Sequence, residues 1–341
     1  MKVLSSSVFA LAFPAMVLAM FTFRKLTAET HHDAGQYRIS GPFTHDNLSV
    51  FLIHGAAKSI KPLLSLEEAI AQHKVIVYET RNVNELAIEN VSNEDVFIES
   101  GDIVKGGAQD RTLKDDIILP TKSGRVNISA FCVEQGRWSR RGNESVATFE
   151  SASDAIATKD LKMAIRVKED QRSVWDKVAA AQANISSALR MDVRAAASPT
   201  SMPMTMQSPV VRKSTDAYLA DLKKIVDGKP DVIGYAFAIN GQVNSADVYA
   251  SRELFLKLWE KLLRASAIEA VSEYDAAKKF TPATVAAVHS SLADADSGKA
   301  SARQLTDRTS VHVKETAHNV MFETRDRARS DAWIHRSYMT K

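Results

Sequence analysis

Two hydrophobic periods run along this chain, and the switch between them divides it. Up to about Val133 the apolar residues come in short runs rich in Val, Ile, Phe and Tyr, at 48–53, 74–79, 86–91, 96–98, 117–119 and 126–133. Runs of that length, punctuated by Asn82, Asn90, Ser92 and Asn93, predict strands and turns. The runs at 117–119 and 126–133 flank Pro120 and Gly124 and read as a hairpin. Ser65 followed by Glu68 forms a capping box and predicts a short helix before Lys74.

After Gly142 the period becomes helical. Val174, Trp175, Val178, Ala181, Ile185 and Leu189 fall on one face of a helix over 170–189, and 215–226 is a second amphipathic segment. Asn240-Gly241, between β-rich arms at 232–239 and 242–249, predicts a hairpin closed by a type I′ turn. Ser251 caps a helix whose apolar face holds Leu254, Phe255, Leu258, Trp259, Leu262 and Leu263. Pro282 suits the first turn of another helix, and strands return at 311–314, 319–323 and 333–338. The Ala/Ser/Met/Pro-rich stretch 195–209 shows no period and reads as a linker or mobile loop. Its Met202, Met204 and Met206 have no His or Cys beside them to suggest a soft-metal site. The expected class is α+β, an antiparallel-rich mixed sheet with packed helices. A single domain over 46–341 has a β-rich part (46–142), a helical middle with the mobile loop (150–228) and a hairpin–helix–strand part (230–341).

The N-terminus changes the reading of charge. The formal net charge is +3, but Lys2, Arg24 and Lys25 lie in an acid-free stretch of 28 residues, and without them 41 basic residues face 41 acidic ones. A neutral body gives no electrostatic support for nucleic-acid binding. Lys2 followed by the apolar run from Val8 to Phe21 has the form of a signal peptide, with Ala19 and Ala28 as small residues that suit cleavage. The alternative is an uncleaved anchor over 3–23, which would be the only membrane contact. Both place the folded part outside the cytoplasm, periplasmic or secreted, behind a flexible lead-in at 29–45. Cys132 is the only cysteine, so no intrachain disulfide forms; flanked by Phe131 and Val133, it is expected to be a buried, inert thiol.

Chemistry concentrates between Val96 and Trp138. Gly106-Gly107 permits a tight turn or close approach of the backbone to a ligand. Gln109 both donates and accepts, Arg111 and Arg137 offer planar forks for carboxylate or phosphate, and Glu134 is the one candidate for a catalytic base. If the 117–119 and 126–133 strands pair, Gln109, Arg111, Glu134 and Arg137 gather into one cluster, with Arg111 near Glu134. A carboxylate between two guanidinium groups stays ionised, which suits recognition better than base catalysis. The bland reading of the same residues is an ion network that fixes two turns, and Trp138 is expected to pack at a core or edge. Asp110, Asp115 and Asp116 lack the spacing of a calcium loop, His312 and His318 lack a third ligand, and no zincin, nucleophile-elbow, phosphate-loop or dinucleotide motif occurs. No metal and no cofactor is expected.

The run Gly101-Asp102, Gly106-Gly107-Ala108-Gln109-Asp110-Arg111 and Phe131-Cys132-Val133-Glu134-Gln135-Gly136-Arg137-Trp138 resembles the ARG and rhodanese-phosphatase-superfamily-associated domain family. The resemblance continues through Asp170-Gln171-Arg172, Gly234-Tyr235-Ala236-Phe237 and Trp259, over most of the chain after Asn47. It implies no established activity. The family name hints at nucleotide-related ligands, by association only. Ala108 stands where the family has Lys, and Asp110 where it has Asn, so any anion contact by that lysine is missing here. The expectation is a non-catalytic binding or scaffolding domain that recognises a small polar or anionic ligand through Gly106, Gly107, Gln109, Arg111, Glu134 and Arg137. The alternative is a hydrolase- or transferase-like enzyme acting on a nucleotide- or sugar-related anion.

Overall fold

Strand β2 (Leu48–His54) is buried at every position because both faces of its sheet are covered. Successive side chains point to opposite faces. Leu48, Val50 and Leu52 enter one core, Phe51 and Ile53 another. The computed structural model describes residues 37–58 and 61–341, so the expected signal or anchor segment and residues 29–36 of the lead-in lie outside the described residues. Residues 38–45 are not a flexible lead-in. They form β1 (Arg38–His45), antiparallel to β2, with a register shift between Ser40 and Phe43 that takes up Pro42 on an edge strand.

These two strands open an eight-stranded sheet. Its order continues with β12 (Val232–Ile239), β13 (Gln242–Tyr249), β17 (Ala332–Thr340), β16 (Asn319–Asp326), β15 (Thr309–Glu315) and β14 (Lys299–Gln304). Every pairing in it is antiparallel. The β12–β13 hairpin turns at Asn240 and Gly241, with φ of 51° and 79°, as the type I′ turn requires. On one face lies α7 (Val285–Asp296), capped by Thr284, so it begins three residues after Pro282, which was expected in its first turn. On the other lies α6 (Arg252–Ser272), capped by Ser251 and buried along its apolar face. β14 was not expected, because its six residues are all exposed and carry no apolar alternation.

The β-rich N-terminal part closes into a barrel in the order β10 (Gly124–Cys132), β5 (Glu85–Asn90), β4 (Val75–Glu79), β11 (Thr148–Ile156), β7 (Asp102–Gly106) and β8 (Arg111–Leu113). Val75, Val77, Leu86, Ile88, Val104, Leu113, Ile128, Ala130 and Phe149 share its core. β3 (Leu64–Ser65), β6 (Val96–Ile98) and β9 (Ile117–Leu119) make a separate small sheet. β9 therefore pairs with β6 rather than with β10, and the expected 117–133 hairpin does not form. Helix α1 (Leu66–Ala71) starts with both arms of the Ser65/Glu68 capping box in place. Antiparallel-rich sheets, with β3 and β6 the parallel pair, and packed helices give the α+β class.

The remaining helices lie in the middle of the chain: α2 (Lys159–Met163), α3 (Gln171–Leu189), α4 (Met202–Met206) and α5 (Pro209–Leu222). The stretch 195–209 is not a mobile loop. Ser201 caps α4 and is fully buried, as are Met202 and Thr205, while Met206 is nearly so. Its methionines fill core space, and its serines and prolines mark helix starts rather than disorder. Among the described residues, no helix is long and apolar enough to cross a membrane.

Candidate functional site

β8 pairs with β10 so that Cys132 faces Arg111 and Ala130 faces Leu113. The glycine-rich run and the cysteine-to-tryptophan run thus meet, as expected, but through a different strand. Alternation then splits the expected cluster. Arg111 has the parity of Leu113, and Cys132 that of Ala130, both inside the barrel. Asp110 has the opposite parity, and Glu134, two residues past the end of β10, leaves the alternation and joins Asp110, whose amide donates to it at 2.9 Å.

On that side Glu134 and Asp110 share two arginines. Arg137 Nε donates to Glu134 Oε1 at 2.7 Å, and its Nη atoms donate to the carbonyls of Gly106 (3.0 Å), Gly107 (3.1 Å) and Ser139 (2.8 Å). Arg141 forms a fork on Asp110 at 2.8 and 2.9 Å and also donates to Glu134 (3.1 Å) and Glu144 (2.9 Å). Ser198 donates to Glu134, Ser201 to Asp110 at 2.7 Å, and the Asp110 and Gly106 amides close the network. Burial pushes the Glu134 carboxyl up, but the hydrogen bonds from Arg137 and Ser198 outweigh it and hold the group below the ordinary range. Glu134 is ionised and fully engaged, so it makes a poor general base. The sequence reading missed Arg141, Ser198 and Ser201. Arg141 lay just past the conspicuous run, and the serines lay in the presumed loop.

The barrel end is different. Arg111 is fully buried. No ion pair joins it to Glu134 among the described residues; it lies 3.6 Å from Glu79 and donates one bond, to the Gln109 carbonyl at 2.7 Å. Glu79 is already held by the amides of Ala108 (2.9 Å) and Arg81 (2.8 Å). Arg111 Nε and Nη2 make no hydrogen bond among the described residues, nor does either side-chain amide atom of Gln109, which is also fully buried. Gly107 adopts φ +52°, and a Cβ there would come within 2.2 Å of Phe149 Cζ and 2.7 Å of Glu79 Oε2, so only glycine fits against this end. Cys132 completes the wall. It is fully buried, and burial pushes its thiol up to about 11. Gln171, capping the strand, accepts from the Cys132 amide and donates to its carbonyl, both at 2.8 Å. Trp138 does not pack; it is 57% exposed.

A third cluster joins the barrel side to the large sheet. His335 sits between Asp116 (2.8 Å from Nδ1) and Asp247 (3.2 Å from Nε2) and stacks on Tyr249, ring centroids 4.3 Å apart. Burial lowers the imidazole, but the two carboxylates outweigh it and push it up to about 9. Glu99 accepts from Tyr249 at 3.1 Å and lies 3.5 Å from Lys162; Lys261 meets Asp102 at 2.5 Å. Burial raises the Glu99 carboxyl despite Lys162. Glu99, Asp247 and His335 each offer an atom within 4.8 Å of the others, the arrangement a small cation could use. Asp116 thus answers to His335, Asp115 to Arg303 at 2.8 Å, and Asp110 to Arg141. This cluster had no sequence signal, because its members come from segments far apart in the chain, 63 residues between Glu99 and Lys162 and 88 between Asp247 and His335.

No curated protein and no solved structure matches the chain. The family model for the ARG and Rhodanese-Phosphatase-superfamily-associated Protein domain matches residues 36–339, which takes in the barrel, the large sheet and every residue of the three clusters. The chain belongs to this family.

Proposed function

We propose that this is a non-catalytic binding domain whose ligand is a small polar or anionic molecule held at the barrel end by Arg111 and Gln109. One observation carries the reading: two donor nitrogens of a buried arginine and both amide atoms of a buried glutamine make no hydrogen bond among the described residues. Arg111 keeps Glu79 as its counter-ion at 3.6 Å, but a buried polar atom without a hydrogen bond still costs about 1–3 kcal/mol. Acceptor oxygens of a ligand would remove that cost at Arg111, and Gln109 would donate and accept beside it. Glu134 and Arg137 then serve as supports: Arg137 grips the Gly106 and Gly107 carbonyls and sets the turn that leads to Gln109.

The test is thermal melting of the mature protein with inorganic phosphate, AMP and glucose as probes, compared with Gln109→Leu. A probe that raises the wild-type midpoint and not that of the variant supports the reading. Equal shifts in both proteins, or none with any probe, count against it. The enzymatic alternative rests elsewhere, on Glu99, whose Oε2 makes no hydrogen bond and whose carboxyl burial pushes toward the neutral form. Turnover of a nucleotide or sugar phosphate that disappears in Glu99→Gln would favour it. Export of the chain is part of the proposal, and mass spectrometry of the protein from its native cell reads it: loss of about the first 19 to 28 residues is expected.

A further inference from the structure

Beyond α2 the chain continues as a π-helical turn, Ala164–Lys168, which ends at Glu169 in the left-handed region, φ 52°. Such turns place an extra residue in the helical register and concentrate at functional sites. This one carries Arg166 inward, 4% exposed. The guanidinium carbon lies 3.7 Å from the centroid of the Phe322 ring. Stacking engages the face of a guanidinium and leaves its N–H edge unsatisfied. None of the three nitrogens of that edge makes a hydrogen bond among the described residues. Asp116, which feels the charge of Arg166, has its oxygens occupied by His335, Thr324 and the Ser100 amide.

Arg166 and Phe322 also line a cavity of about 240 Å³ beneath the exposed strand β14. That is far beyond the roughly 10–15 Å³ that admits one water. Val313 and Val320 continue the apolar wall from Phe322, and Ser301, paired with Val313 across the β14–β15 ladder, forms the outer rim. The other charges of the lining have partners. Arg303 meets Asp115 at 2.8 Å, Glu169 meets Lys114 at 2.7 Å, and Glu315 meets Lys341 at 2.6 Å.

We propose that this cavity binds a small amphipathic monocarboxylate. The carboxylate takes the N–H edge of Arg166, and a short alkyl or phenyl body lies on Phe322, Val313 and Val320. A guanidinium fork matches a carboxylate in two parallel bonds. With Glu169 and Glu315 paired, the charge the lining offers is the single one of Arg166, which a monocarboxylate matches and a doubly charged phosphate exceeds, so the site selects by charge as well as shape. It is independent of the barrel end, since it shares no residue with it.

Hexanoate and benzoate serve as probes of the whole protein, by ligand-detected NMR and calorimetry, with inorganic phosphate as competitor. Ser301→Trp fills the cavity from an exposed strand without entering the core, and Arg166→Met removes the donors while keeping bulk. The expected result is saturable binding of at least one probe, weakened about tenfold or more in each variant and untouched by phosphate. Absence of binding by both probes at millimolar concentration overturns the proposal. So does binding unchanged in Ser301→Trp, or displacement by phosphate. If Arg166→Met fails to fold, Ser301→Trp alone decides. Gln109→Leu is expected to leave this binding intact, so failure here and failure at the barrel end are read separately.

Discussion

Two polar clusters are built from the same short stretch of chain, and they treat their charges in opposite ways. In the network of Asp110, Glu134, Arg137 and Arg141, the guanidinium groups each reach several acceptors, and both carboxylates are held by side chains and backbone amides. A few ångströms of backbone away, inside the barrel, Arg111 and Gln109 are as deeply buried and leave four polar atoms without hydrogen bonds. A side chain at Arg111 and one at Asp110 differ by a single step along a strand, and that step decides which cluster each joins. The satisfied cluster leaves little for a ligand to take, since of its carboxylate oxygens only Glu144 Oε2 makes no hydrogen bond among the described residues. The unsatisfied one is poor structural glue, and its cost makes sense if something else completes it.

Substitutions can break this comparison. Asp110→Ala should have the largest effect. It takes both bonds of the fork from Arg141, leaving that group only Glu134 and Glu144, and removes acceptors from Ser201 and the Gly106 amide; a lost partner in a buried ion network costs about 3–5 kcal/mol. Denaturant unfolding measures it; a loss below about 1 kcal/mol would mean that the network is ornamental. The His335 cluster gives the next effect and extends the comparison to a third, charge-balanced site. Its folded pKa of about 9 lies above the ordinary 6.5. The protonated form is therefore favoured by folding: its contribution is complete below about pH 6.5 and fades as pH rises through about 9. Unfolding free energy should fall by a few kcal/mol across that window, by linkage. His335→Gln should flatten the slope; a wild-type profile already flat between those values would refute the charged imidazole.

The smaller effects sharpen the contrast at the barrel end itself. Cys132→Ser places a hydroxyl in an enclosed site and should cost about 1–3 kcal/mol. Thiol reagents should label native Cys132 slowly at neutral pH, since burial holds the thiol up at about 11; fast labelling would expose an open barrel mouth. Gln109→Leu should change stability least, from neutral to about 1 kcal/mol more stable, because it removes a buried amide that makes no side-chain hydrogen bond. A marked loss of stability in this variant would show that Gln109 is satisfied in solution, for example by ordered water, and would weaken the case for a ligand.

Periodic features were readable from the chain alone. The Asn240-Gly241 hairpin, the Ser65 capping box, the helix after Ser251 and the helix from Gln171 all follow from local rules, and the structure has each of them. Burial of Cys132 followed from its apolar neighbours. What escaped was long-range or polar. β9 looked like the partner of β10 because they are adjacent in sequence, yet its apolar residues complete a different sheet. β14 has no apolar pattern, since nothing covers it. The meeting of Gly106–Arg111 with Glu134–Arg137 follows from the sequence, but not its division, which needs the register of β8 on β10 and the turn that the chain takes after Cys132. Glu79, Arg141, Ser198 and Ser201 gave no signal, because a polar side chain announces nothing until its partners are known.

One feature of the large sheet bears on how the protein comes to be folded. β17, the last strand of the chain, lies between β13 and β16. Until it is made, the sheet exists only as two separate ribbons, and β2, synthesised near the start, waits for β12 before its second edge is paired. Assembly therefore depends on pairings distant in sequence, the kind that folds slowly and leaves apolar strands open to misassembly on the way. β17 acts as a keystone. A deletion confined to Ala332–Thr340 would remove only β17, yet it would separate the two ribbons and take His335 with it. Such a product is expected to be cleared as misfolded chain rather than to persist as a shortened protein.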